Sequence, residues 1–195
     1  MNTDETNKSK KTQLEKWHET TRHYLFADQE NLADAAVKAL LASKLDSHGA
    51  QDHLISRVRG RLLRLLTRSA QHDQNPLHEL ERGFYFQVWF IAQHPDVSKR
   101  LLGWLSQGSD NRIRRRIQMV IDQYESRLCR MIERARHQGL IRSDIEPHTA
   151  ASLFIGMIQS LAIRMNTDFH QRELLLREAV EIFTLYRAGM AAPSN

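Results

Sequence analysis

Arg57, Arg61, Arg64 and Arg68 recur at helical intervals. That spacing aligns them on one helix face, opposite Leu54, Val58, Leu62, Leu65 and Leu66. Such a stripe is either a ridge for phosphates or the solvated side of an amphipathic helix, and the want of interleaved aromatics favours the solvated side. The cluster Arg112, Arg114, Arg115 and Arg116 reads as surface in the same way. A second candidate is aromatic. Phe84, Tyr85, Phe86, Trp89 and Phe90 crowd together with Gln87 among them, and Gln123 and Tyr124 follow on a later helical stretch. Apolar walls with a few placed polar groups make a small-molecule pocket, whereas the same residues packed tightly make core. The candidate pocket is Phe84, Gln87, Trp89, Phe90, Gln123 and Tyr124.

Bond-making chemistry finds little support. The ten histidines form no His-x-x-x-His pair, and there is no Cys-x-x-Cys, so no metal site is expected. There is no Gly-rich phosphate loop and no Gly-x-Ser-x-Gly elbow. Cys129, the single cysteine, reads as a small apolar filler and fits a reducing cytosol. No cofactor is called for, and an enzyme is the remotest reading.

The 195 residues carry 28 basic and 23 acidic side chains and are 41% hydrophobic, enough for a core and compatible with an anionic partner. No apolar run reaches the about 20 residues of a membrane helix, and the polar start MNTDETNKSKK lacks the apolar stretch of a signal peptide. A cytoplasmic protein is expected. The charge is unevenly spread. Residues 1–48 hold seven basic against eight acidic side chains, whereas residues 49–72 hold five against one.

Helical periodicity dominates and alternating strand patterns are missing, so the expected fold is all-α. Residues 1–10 read as a disordered arm. Helices are expected over 14–28 and 32–41, then from about Gln51 to Ala70, Pro76 to His94, Asp96 to Leu105, Asn111 to Gln138, Pro147 to Met165 and Phe169 to Ala191. Pro76 and Pro147 sit where a first helical turn tolerates proline. Gly139 sits where a helix end needs a left-handed residue. Gly156 and Ser160, four apart on one face, would let another helix come close.

The run Gly139-Leu-Ile-Arg-Ser-Asp-Ile-Glu-Pro-His-Thr-Ala-Ala-Ser-Leu-Phe-Ile-Gly-Met-Ile-Gln-Ser-Leu161 resembles the last-but-one helix of the ligand-binding and dimerisation domain of the TetR/AcrR family of bacterial transcriptional regulators. Pro76-Leu77-His-Glu-Leu80 and Phe90-Ile-Ala-Gln-His94-Pro95 resemble that family's central helix and its exit. Arg172-Glu-Leu-Leu-Leu-Arg-Glu-Ala-Val-Glu-Ile-Phe183 resembles its last helix. Nearer the N-terminus, Leu25-Phe26-Ala27, Asn31-Leu-Ala-Asp-Ala-Ala-Val-Lys-Ala39 and His48-Gly-Ala-Gln-Asp-His-Leu-Ile55 resemble the end of the family's first helix, the first helix of its helix-turn-helix and the start of its connecting helix. The resemblance implies about nine helices, with a divergent helix-turn-helix-like domain over 11–49 and a ligand-binding and dimerisation bundle over 50–195.

A homodimer is implied through the last two helices, with Leu153, Phe154, Met157, Leu161, Ile182, Phe183 and Tyr186 as the interface. A small hydrophobic ligand is the implied effector, and no membrane is involved. DNA contacts would fall to Lys44, Ser47 and His48. The recognition segment Ser43–Gly49 is nevertheless shorter than the family's, and a recognition helix needs about two turns in the major groove. Asp46 also carries the wrong sign for phosphate. Two readings follow: a ligand-controlled transcriptional regulator, or a dimer of the same fold that has lost DNA binding and acts as a ligand-binding or protein-interaction module.

Overall fold

Six helices carry the described part of the chain: α1 His48–Gln71, α2 Pro76–Gln93, α3 Pro95–Ser106, α4 Asn111–His137, α5 Pro147–Thr167 and α6 Arg172–Met190. The computed structural model describes residues 48–71, 75–106, 111–167 and 172–192. The chain divides into two units between Leu45 and Asp46, and every described residue belongs to the second. The arm 1–10, the helices expected over 14–28 and 32–41, and Lys44 and Ser47 lie outside the described residues. The six helices therefore stand where about nine were expected for the whole chain. Among the described residues the sole β feature is an isolated bridge between Ile141 and Ala191.

Local chemistry explains the helix ends. Asn75 caps α2 by accepting the Leu77 N–H at 2.9 Å, and Pro76 follows in the first turn, where its missing N–H costs nothing. At the end of α4, Gly139 takes φ 68°, the left-handed region. Leu140 N donates to Ala135 O and Gly139 N to Arg136 O, both at 3.0 Å. These two bonds satisfy carbonyls that a bare helix end would orphan. The chain then turns, and Arg142 N donates to Met190 O at 3.0 Å, tying the α4–α5 connection to the end of α6.

Helix α2 is the hub. It packs against all five other helices and is buried on every side, from Leu77 and Leu80 through Phe84, Phe86 and Val88 to Ile91 and Ala92. On one side Phe84 meets Phe154 of α5 edge-on at 5.5 Å and Phe183 of α6 at 5.3 Å. Tyr186 joins this group at 5.7 Å from Phe183 and donates its hydroxyl to Ala150 O at 3.0 Å. On another side the core is aliphatic: Ile55 of α1 with Ile113, Ile117 and Val120 of α4.

Helices α1 and α4 run parallel, joined by rungs that advance together along both. Arg112 and Arg116 pair with Asp52 at 2.5 and 2.9 Å, and Arg116 also reaches Ser56. Arg59 donates to Gln123 at 2.7 Å, and Arg127 reaches Leu63 O at 3.5 Å. Two members of the arginine cluster read as surface thus hold one helix to the other.

Candidate functional site

Five helices converge on a cavity of about 150 Å³. Helix α1 contributes Ile55, Val58 and Leu62, three residues of its inward stripe. Helix α2 contributes Gln87, Phe90 and Ile91, spaced so that they share one face. Helix α3 supplies Val97, Ser98, Leu101, Leu102 and Leu105. Helix α4 supplies Ile117, Val120 and Ile121, and α5 supplies Ile158, Gln159 and Ala162. The wall is aliphatic apart from Phe90 and three polar side chains, Gln87, Ser98 and Gln159. Arg61 lays its guanidinium 4.2 Å from the centre of the Phe90 ring, so the aromatic wall is backed by a cation.

Tyr124 sits one turn beyond Val120 and Ile121 on α4 and is buried. Its hydroxyl donates to Gln87 Oε1. Burial, with a smaller contribution from Tyr186, holds the hydroxyl well above the ordinary phenol range, so it remains a neutral donor. Among the described residues no group of three or more His, Cys, Asp or Glu side chains converges to hold a metal. Cys129 lies away from the cavity, 3.4 Å from His148 Nδ1, and burial followed by the charges of Glu125 and Glu146 pushes its thiol up. A protonated thiol is a poor nucleophile.

The six residues expected to form a pocket go to different places. Gln87 and Phe90 line the cavity. Tyr124 stands behind Gln87 as its hydrogen-bond partner. Phe84 does not reach the cavity, because its ring is spent between Phe154 and Phe183. Trp89 is half-buried on another face of α2. Gln123 is exposed and turned to Arg59 of α1. What the aromatic cluster did not indicate is the share taken by α3. Val97, Leu101 and Leu105 recur at four-residue steps, which is the signal that could have pointed to it.

The residues expected at a dimer interface also divide. Phe154, Leu161, Phe183 and Tyr186 are buried within the subunit, and Met157 and Ile182 are half-buried. Leu153 is 57% exposed. Ile163 on α5 and Leu174 and Leu185 on α6 are also large exposed apolar side chains, the last 72% exposed. Arg164 and Glu178 bridge α5 to α6 at 2.6 Å. Of the expected DNA contacts, His48 is the first residue of α1.

Among the described residues no helix is long and apolar enough to cross a membrane. Residues 106–183, from the end of α3 through α4 and α5 into α6, match the family model of the tetracyclin repressor-like C-terminal domain. No curated protein matches the chain. Among solved structures it is similar to the transcriptional regulator FadR from Bacillus subtilis, in complex with stearoyl-CoA, with a TM-score of 0.60 and 15% identity, covering 72% of this chain and 76% of that one. At that identity the likeness is one of fold. Residues 106–183 thus match a tetracyclin repressor-like C-terminal domain in sequence, and the helices as a whole share the fold of a transcriptional regulator.

Proposed function

We propose that this chain is a homodimeric transcriptional regulator whose C-terminal domain binds a small apolar ligand in the cavity between α1 and α5. The observation that carries the reading is the cavity itself: aliphatic walls from five helices, with Gln87 fixed by Tyr124 as an orienting polar group. Stearoyl-CoA in the FadR complex is an amphipathic molecule with an apolar chain, and an apolar cavity is what this chain offers. Because α1 forms part of the wall and begins at His48, a ligand that favours one placement of α1 would bias whatever precedes it. The dimer would form through the exposed apolar face of α5 and α6, where Gly156 and Ser160 permit close approach. An obligate interface of this kind buries roughly 2,000 Å² or more.

A second reading has its own support. His48 and Gly49 belong to α1, which leaves little of the segment Ser43–Gly49 for a recognition helix. That favours a dimer that binds ligand or protein without DNA. Selection from random duplexes at low salt separates the two. Enrichment of a two-fold-related site, weakened by Lys44→Ala, supports the regulator; no enrichment moves the assignment to the module. Thermal-shift screening with apolar compounds tests the ligand reading common to both.

A further inference from the structure

We propose that the cavity selects a compact, largely apolar ligand that turns a carbonyl-type hydrogen-bond acceptor toward the side-chain amide of Gln87. The inference rests on the ligand-binding reading above and adds the size and polarity of the ligand.

The polarity follows from hydrogen-bond accounting. Tyr124 is buried, and among the described residues its hydroxyl proton has one acceptor, Gln87 Oε1. Were the Gln87 amide turned over, two donors would share the Tyr124 oxygen and the hydroxyl proton would lose its only acceptor. Leaving a buried donor unmatched is the costlier state, so the hydroxyl fixes which end of the amide faces it. The phenol keeps its proton because burial disfavours the phenolate. Gln87 is itself a wall residue, and with its oxygen held by Tyr124 the two amide hydrogens are the groups left unmatched among the described residues. Around it the wall is mostly aliphatic, with side chains such as Ile91, Leu101, Ile117 and Ile121 that cannot accept those hydrogens, and among the described residues neither Ser98 nor Gln159, its other polar side chains, is hydrogen-bonded to the amide. A hydrocarbon ligand would leave the amide unmatched. A ligand presenting N–H there would set donor against donor. A ketone, ester or amide oxygen completes the set.

The size follows from the volume. A cavity of about 150 Å³ lined by aliphatic side chains and one aromatic is of the kind that accepts a single benzene-sized ring. A ring with a short carbonyl substituent fits that space.

The test uses the full chain and two probes of nearly identical shape, acetophenone and α-methylstyrene, which differ in C=O against C=CH2. Indole serves as the donor probe. Dissociation constants are measured by ligand-observed NMR on wild type, Gln87→Leu and Tyr124→Phe. The ratio of the α-methylstyrene to the acetophenone constant should fall about tenfold from wild type to Gln87→Leu, the loss of one buried hydrogen bond. Taking this ratio between variants cancels the difference in hydrophobicity of the two probes. In Tyr124→Phe the amide is released to turn over, so indole should gain on acetophenone. Equal ratios in wild type and Gln87→Leu, with both probes binding, overturn the acceptor preference and leave the ligand-binding reading standing. No binding of any probe to the wild-type chain at millimolar concentration overturns both.

Discussion

Arg134 Nη2 of α4 lies 2.5 Å from Glu79 Oε2 of α2, and the Glu79 side chain is wholly buried while that of Arg134 is half exposed. Glu79 stands in the first turn of α2, where the helix N-terminus also favours a negative charge. Its second oxygen has no hydrogen-bond partner among the described residues. The ion pair is therefore what answers a carboxylate taken out of water, and it fastens the central helix to the helix that carries Tyr124.

Arg134→Ala should destabilise the chain by about 2 kcal/mol, less than the roughly 3–5 kcal/mol of a fully buried pair because water reaches the arginine. Glu79→Gln, which removes the charge and keeps the shape, should cost about 1 kcal/mol. Adding Glu79→Gln to Arg134→Ala should restore stability. Urea unfolding of the four forms checks this, and a double variant weaker than Arg134→Ala alone would contradict it.

Gly139→Ala should cost about 1 kcal/mol. A Cβ built on Gly139 meets nothing within 4 Å, so the cost is purely that of the left-handed backbone. Gly139→Asn, a residue more tolerant of that region, should cost less. Equal unfolding midpoints for Gly139→Ala and wild type would show that the α4 end relaxes to another turn.

Gly139, Pro76 and Pro147 were legible because their signals are local: a missing Cβ or a missing N–H acts within one turn. The six described helices were legible by periodicity. Which neighbour each inward side chain meets was not. Phe84 and Gln87 lie one turn apart on the same helix, yet the first is enclosed by α5 and α6 and the second reaches the cavity. Gln123 reads as a partner for the aromatics until the parallel register of α1 and α4 brings Arg59 to it. The candidate interface shows the same limit. Periodicity marks Leu161 and Phe183 as apolar, but the subunit core consumes them, and the exposed Ile163, Leu174 and Leu185 were not singled out.

Acid should weaken the start of α5. Glu146 accepts the Thr149 N–H at 2.5 Å, and the backbone N–H groups of His148 and Thr149 hold its carboxyl below the ordinary value of 4.5. A depressed folded-state value means that the contribution is present above the unfolded-state value and is lost as pH falls through the folded-state one. Wild type should therefore exceed Glu146→Gln in stability at neutral pH, and the gap should close on acidification below the carboxylate range. Urea midpoints of the two forms against pH test it; a gap that persists in strong acid would assign the effect to something other than this carboxylate.

Leu161→Glu and Leu185→Glu should fail in different ways. Leu161 is 1% exposed within the subunit, so a carboxylate there loses its water without a partner and should unfold the chain rather than merely dissociate a dimer. Leu185 is 72% exposed and Leu153 57%, so a charge at either is solvated in the monomer and leaves the subunit intact. If the face of α5 and α6 joins two subunits, Leu185→Glu and Leu153→Glu should weaken dimerisation about 30-fold or more with helical content unchanged, the loss expected of an apolar anchor at an interface centre. Sedimentation equilibrium with circular dichroism reads both quantities. A dimer that survives both exposed substitutions with unchanged affinity would place the contact on another face, and a wild-type monomer at micromolar concentration would remove it.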